Sequence, residues 1–223
     1  MEINHYIEHT NLNPTITESQ IDLLVHEAKE NRFFGICVPP FWVKRAAREL
    51  LNSDVQLVTV IGFPLGYQMT EVKLREIELA IENGANELDL VMNISSFKTR
   101  LPWTKIELAK CSKVAHEADS ILKVIIETAY LSDEEIIRAS ALCAEAGVDF
   151  VKTSTGFASS GAKLENIQLM RKSLPSNVGI KASGGIKTLA DAEAMISAGA
   201  DRIGTSSGVA IMKEWHESSK NIR

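Results

Sequence analysis

The sequence predicts a (β/α)8 barrel, the TIM-barrel class, built as one domain from residues 1–223. Three observations lead there. Short apolar runs rich in Val, Ile and Leu recur eight times along the chain. Amphipathic stretches separate them, so that successive runs start 21 to 35 residues apart, the span of one strand plus one crossover helix. One helix-to-strand junction is also repeated, as Gly84-Ala85-Asn86-Glu87-Leu88, Gly147-Val148-Asp149-Phe150-Val151 and Gly199-Ala200-Asp201-Arg202-Ile203. In each, glycine can end a helix in the left-handed conformation before a strand begins.

The predicted strands start at Ile7, Gly35, Gln56, Glu87, Leu122, Phe150, Gly179 and Arg202. Leu57-Val58-Thr59-Val60-Ile61 and Val124-Ile125-Ile126 read as parallel strands buried on both faces. Two helix starts carry capping boxes. Thr17 and Gln20 precede Ile21, Leu24, Val25 and Ala28, and Ser132 and Glu135 precede Ile136, Ala139 and Cys143. A length of 223 residues is slightly short for this fold and leaves little room for inserted loops. An open doubly wound sheet shares the local signals and is the alternative.

Composition narrows the function. The formal net charge is −5 and no basic run stands out, which disfavours nucleic acid as a partner. An anionic substrate must then be held by a local site against the overall field. Cys37, Cys111 and Cys143 match no disulfide framework or zinc motif and suit a reducing compartment. The segment Met1-Glu2-Ile3-Asn4-His5 lacks the basic and apolar regions of a signal peptide, and no apolar run approaches membrane-spanning length. The expectation is a cytoplasmic protein with no membrane partner.

Lys123, Lys152 and Lys181 each fall within an apolar strand, the last two 29 residues apart on adjacent strands. Pointing outward they would bury charge beneath the helices, so the lumen near the C-terminal mouth is the expected place. Such a cluster suits amine chemistry. An ordinary lysine is neutral only about once in 2,500 molecules at pH 7, and only the neutral amine attacks a carbonyl. A second ammonium about 5 Å away, at an effective dielectric of about 20, adds about 3 kcal/mol of repulsion. The bland reading is that the lysines pair with buried acids. Asp89 and Glu87 alternate with leucine in Glu87-Leu88-Asp89-Leu90-Val91 and so share a face. Asp89 can steer a lysine or relay protons, or it can be a structural partner of Lys123. Glu8 and Glu127 carry the same ambiguity.

Ser183-Gly184-Gly185 follows the seventh strand, and Gly204-Thr205-Ser206-Ser207-Gly208 follows the eighth and opens a helix. Barrels often bind phosphate on these two loops and a helix N-terminus. His5, His9, His26, His116 and His216 show no metal-ligand spacing, and neither a P-loop nor a dinucleotide fingerprint is present. No metal and no cofactor is expected.

Taken in order, Ile7-Glu8-His9-Thr10, Gly35-Ile36-Cys37-Val38, Gly62-Phe63-Pro64-Leu65-Gly66, Lys123-Val124-Ile125-Ile126-Glu127-Thr128, Lys152-Thr153-Ser154-Thr155-Gly156 and Lys181-Ala182-Ser183-Gly184-Gly185 resemble the deoxyribose-phosphate aldolase family over nearly the whole chain. The resemblance implies a metal-free class I lyase of deoxyribonucleotide catabolism. It would reversibly cleave 2-deoxy-D-ribose 5-phosphate to acetaldehyde and D-glyceraldehyde 3-phosphate. By position, Lys152 is implied as the Schiff-base lysine, Lys181 as the neighbour that lowers its pKa and Asp89 as the proton-relay acid. Gly184, Gly185, Ser206 and Ser207 are implied to hold the phosphate, with Thr155, Gly156 and Lys123 as further substrate contacts. A homo-oligomer, dimer or larger, is implied too. Three features depart from the common family pattern. Glu8 replaces the usual Asp of Asp-His-Thr, Phe157 stands where many members have lysine, and the tail ends Lys220-Asn221-Ile222-Arg223 where some carry a tyrosine. Other Schiff-base barrels, distinguished by their donor, and a non-catalytic sugar-phosphate sensor are the rivals.

Overall fold

A computed structural model describes residues 2–220. Eight parallel strands close in sequential order into one barrel. They are β1 (Ile7–Thr10), β2 (Gly35–Val38), β3 (Gln56–Ile61), β4 (Glu87–Val91), β5 (Ile121–Ile125), β6 (Phe150–Lys152), β7 (Gly179–Ser183) and β8 (Arg202–Thr205). Closure comes from β1 against β8, with Ile7 opposite Ile203 and His9 opposite Thr205. The open-sheet alternative is thereby ruled out, and no sheet edge remains exposed. Seven strands begin at the residue the sequence predicts. β5 begins one residue early, because Ile121 already pairs with Glu87.

The outer layer comprises α1 (Glu18–Asn31), α2 (Val43–Glu49), α3 (Thr70–Glu82), α4 (Ile94–Lys98), α5 (Trp103–His116), α6 (Asp133–Glu145), α7 (Leu164–Ser173), α8 (Leu189–Ser197) and α9 (Gly208–Lys220). Both predicted capping boxes form, at Thr17 and Ser132. Gly84, Gly147 and Gly199 end α3, α6 and α8 with φ of 102°, 78° and 115°. The residue two places on has a task that spacing alone did not reveal. Asn86 Oδ1 accepts the Leu57 N–H at 2.9 Å, Asp149 Oδ2 the Leu122 N–H at 2.8 Å, and Asp201 Oδ2 the Ile180 N–H at 2.8 Å. Each staples the start of one strand to the strand before it.

The main core lies between barrel and helices. Leu88, Leu90, Val124, Val151, Ile180 and Ile203 face Ile21, Ile77, Leu108, Ile136, Ile167 and Ile211 there. Each fully buried Leu or Ile contributes about 1.5–3 kcal/mol, which fixes the strand register. With the leucines of β4 committed outward, Glu87 and Asp89 must face the lumen. The lumen's apolar plug is small, Cys37, Val58 and Val60 with Leu12 and Phe63 against them. Polar groups fill the rest. All three cysteines are free and buried. Among the described residues no helix is long and apolar enough to cross a membrane. The tail residues Asn221–Arg223 lie outside the described residues.

Candidate active site

Asp89 is the hub of a buried charge cluster. Its Oδ2 accepts hydrogen bonds from Lys152 Nζ and from Lys181 Nζ, each at 2.7 Å. Its Oδ1 accepts from Lys123 Nζ at 3.2 Å. Glu8 on β1 reaches the same group, accepting a short hydrogen bond from Lys181 and lying 3.4 Å from Lys123. Glu87 completes it, 2.5 Å from Lys123. Three lysines thus face three carboxylates, the arrangement that makes burial of so many charges tolerable. The extra methylene of Glu8 does not cost the contact with Lys181.

Electrostatics set the resting ionisation. Burial alone would raise the Asp89 carboxyl, but Lys123, Lys152 and Lys181 overcome it and hold the group well below the carboxylate range. For Lys181 burial works downward, and Asp89 and Glu8 outweigh it, so the net shift is upward. Lys123 is raised in the same way by Asp89, Glu8 and Glu87. Glu87 is pushed up, first by burial, against the pull of Lys123. Like-charge crowding is therefore only part of the balance, since Lys123 lowers Lys181 while two acids raise it. The cation of Lys181 is shared between two acids, Glu8 and Asp89.

Partner number orders the lysines. Within 4.0 Å Lys123 meets Glu8, Glu87 and Asp89, Lys181 meets Glu8 and Asp89, and Lys152 meets Asp89. Lys152 is also the one of the three that lines a cavity, of about 380 Å³, at the C-terminal mouth. A larger cavity of about 650 Å³ runs beside α3 and α5, away from the three lysines, so chemistry rather than size selects the site.

Lys123, an expected substrate contact, does not line this cavity. It is fully buried. Register explains this. On β5 the partner of Lys152 is Ile125, and Lys123 lies two residues earlier, about 6–7 Å deeper along the strand. Lys152 and Lys181, by contrast, are register partners.

The expected phosphate residues converge with one exception. Thr155, Gly156, Gly184, Gly185 and Ser206 line the cavity. Gly184 and Gly185 take successive positive φ values of 87° and 83°, open to glycine without strain. Among the described residues none accepts a hydrogen bond from the N–H of Gly156, Gly184, Gly185 or Ser206. These four free donors lie around one concave surface. Ser207 is not on the wall, and its N–H is taken at 2.9 Å by Thr205 Oγ1. Phe157 and Lys187 line the cavity as well, whereas Lys163 does not.

Sequence reading missed two contributors. The end of β1 supplies Thr10 to the wall, and the loop after it Asn11, Leu12 and Asn13. Its place at a strand C-terminus was the available signal. Thr153 Oγ1 accepts from the Ser183 N–H at 3.1 Å and donates to the Ser183 carbonyl at 3.2 Å, clamping β6 to β7 beside Lys152. Among the described residues no three His, Cys, Asp or Glu side chains form a metal-binding group.

Comparison with known proteins agrees with this layout. A profile described as DeoC/LacD family aldolase matches residues 3–214. The chain belongs to this aldolase family. A relative from Brevibacillus brevis named deoxyribose-phosphate aldolase is 51% identical over 213 residues, spanning 95% of this chain and 96% of its own length. One of the same name from Thermococcus kodakarensis is 50% identical over 215 residues, with 95% and 96% covered. Among solved structures, an aldolase designated QR15 superposes with a TM-score of 0.94 at 41% identity over the full length of both chains. A deoxyribose phosphate aldolase from Aeropyrum pernix, described as tetrameric, gives a TM-score of 0.89 at 33% identity, covering 96% of this chain and 91% of that one. This aldolase carries its charged centre inside the barrel and its free amides at the rim.

Proposed function

We propose that this family member is a class I deoxyribose-phosphate aldolase with Lys152 as the Schiff-base residue. It is a carbon–carbon lyase that reversibly converts 2-deoxy-D-ribose 5-phosphate to acetaldehyde and D-glyceraldehyde 3-phosphate. The observation that carries this reading is that Lys152, alone among the three lysines, opens onto the cavity bordered by free backbone donors. The 5-phosphate lies on the N–H groups of Gly156, Gly184, Gly185 and Ser206, with Lys187 adding charge. The open-chain aldehyde then reaches Lys152.

The neutral Lys152 amine attacks C1, and loss of water leaves a protonated imine. Asp89, held ionised 2.7 Å from Nζ, stabilises that cation. The iminium withdraws the C2–C3 bonding pair as the 3-hydroxyl loses its proton through a water between Asp89 and Lys181. Because Asp89 stays ionised, it orients and relays rather than storing the proton. Glyceraldehyde 3-phosphate departs, the enamine is protonated at C2, and hydrolysis releases acetaldehyde and Lys152.

The reaction runs in the cytoplasm on this reading, which the three unpaired thiols favour. Copies associate into a homo-oligomer, for which exposed Tyr67, Met69 and Trp103 offer apolar surface. Borohydride reduction with acetaldehyde should add one two-carbon unit, mapped to Lys152, and purified protein should turn over deoxyribose 5-phosphate. Label on Lys181 would reverse the two roles. Absence of both label and turnover would end the proposal.

A further inference from the structure

Glu127 belongs to neither the charge cluster nor the main cavity wall. It lies two residues beyond the end of β5 and adopts a left-handed backbone, φ 49° and ψ 72°, uncommon for a residue with a side chain. Its side chain is buried. Oε2 accepts the Thr155 N–H at 3.1 Å and a short hydrogen bond from the Thr155 hydroxyl. Thr155 Oγ1 in turn accepts the Phe157 N–H at 3.0 Å. One carboxylate thus anchors a relay that fixes the amides on both sides of Gly156. The Gly156 N–H between them has no acceptor among the described residues and stands on the cavity wall. Backbone conformation, burial and two hydrogen bonds all serve to hold one exposed donor in place.

We propose that Glu127 is a positioning residue for the phosphate end of the substrate, acting through Thr155 on the Gly156 donor rather than on the reacting carbon. Its own surroundings separate it from the chemistry. It lines a distinct small cavity of about 30 Å³ with Pro64, Tyr130 and Phe157, too small for substrate, and not the cavity that holds Lys152. The inference rests on the functional reading above, and its test separates the two. Wild-type turnover and acetaldehyde trapping examine that reading alone.

Glu127→Gly tests the relay, because glycine keeps the left-handed backbone at ease while removing the carboxylate. KM for deoxyribose 5-phosphate should rise about tenfold or more, the scale of hydrogen bonds to a charged acceptor. KM for unphosphorylated deoxyribose and the rate of borohydride trapping with acetaldehyde should stay within about twofold. Glu127→Gln keeps an acceptor oxygen for Thr155 and should restore most of the phosphate preference. Glu127→Asn suits the left-handed backbone but is one methylene too short for Thr155, and it should give the same split between phosphorylated and free sugar, whether or not Glu127→Gly folds. Equal losses for both sugars, or an unchanged KM for the phosphate in either relay-breaking variant, would overturn the proposal.

Discussion

Replacing Asp89 with asparagine removes the one carboxylate charge that all three buried lysines share, at 2.7, 2.7 and 3.2 Å. Shape is conserved, so the change is one of charge. Three ammonium groups then face Glu8 and Glu87 alone. Stripping a partner from a buried ion pair costs about 3–5 kcal/mol. In a chain of this size each kcal/mol moves Tm by about 2–4 °C, so Asp89→Asn should melt about 6–20 °C lower at pH 7. The sign of the pH dependence follows from the depressed carboxyl. Its stabilisation is complete above the ordinary value of 3.8 and is lost as pH falls through the lower folded value. The gap between wild type and variant should therefore be full at neutral pH and shrink only below about pH 4. Catalysis should fall roughly 100-fold or more, the scale of a lost proton relay. Attack on the carbonyl needs the Lys152 amine and not the Asp89 carboxylate, so borohydride should still trap acetaldehyde. Thermal melts across pH, steady-state cleavage and trapping followed by peptide mapping read these separately. A variant with unchanged Tm and near-normal kcat/KM would refute the account of the cluster.

Two further outcomes follow from the same geometry. Lys123→Met leaves three acids with two lysines and should lose about 3–5 kcal/mol in denaturant titration, yet folded variant should still label at Lys152. Loss of labelling in folded protein would mean that Lys123 does touch substrate. Phe157 is 53% exposed on the cavity wall and packs edge-on against Phe63 at 5.2 Å, beside Lys187. Phe157→Lys should raise the preference for the 5-phosphate over free deoxyribose, chiefly through KM and in a salt-sensitive way, and an unchanged ratio would put Phe157 away from the phosphate.

The barrel was legible because burial on both faces leaves few choices of residue, so runs such as Leu57–Ile61 mark their strands directly. The alternation in β4 likewise put Glu87 and Asp89 on one face, opposite the leucines. Depth was not legible. Lys123, Lys152 and Lys181 look equivalent as letters, and the stagger between β5 and β6 decides which of them meets the cavity. The counter-charges were hidden for a related reason. Glu8 and Lys181 are 173 residues apart, and barrel closure alone brings them together. Ser207 is off the cavity wall for a local reason invisible in the letters, since Thr205 Oγ1 takes its amide.

The Asx staples also divide the barrel. Asn86 binds β4 to β3, Asp149 binds β6 to β5, and Asp201 binds β8 to β7. The stitching therefore runs within two-stranded modules and skips the seams between them. A chain reopened in the exposed link at Leu101, between α4 and α5, severs no staple, whereas a break at Gly147 parts Asp149 from the strand it holds. New termini belong at the seams. Circular permutants and complementing fragments divided there inherit every staple whole, and with them the register that sets Lys152 one layer above Lys123.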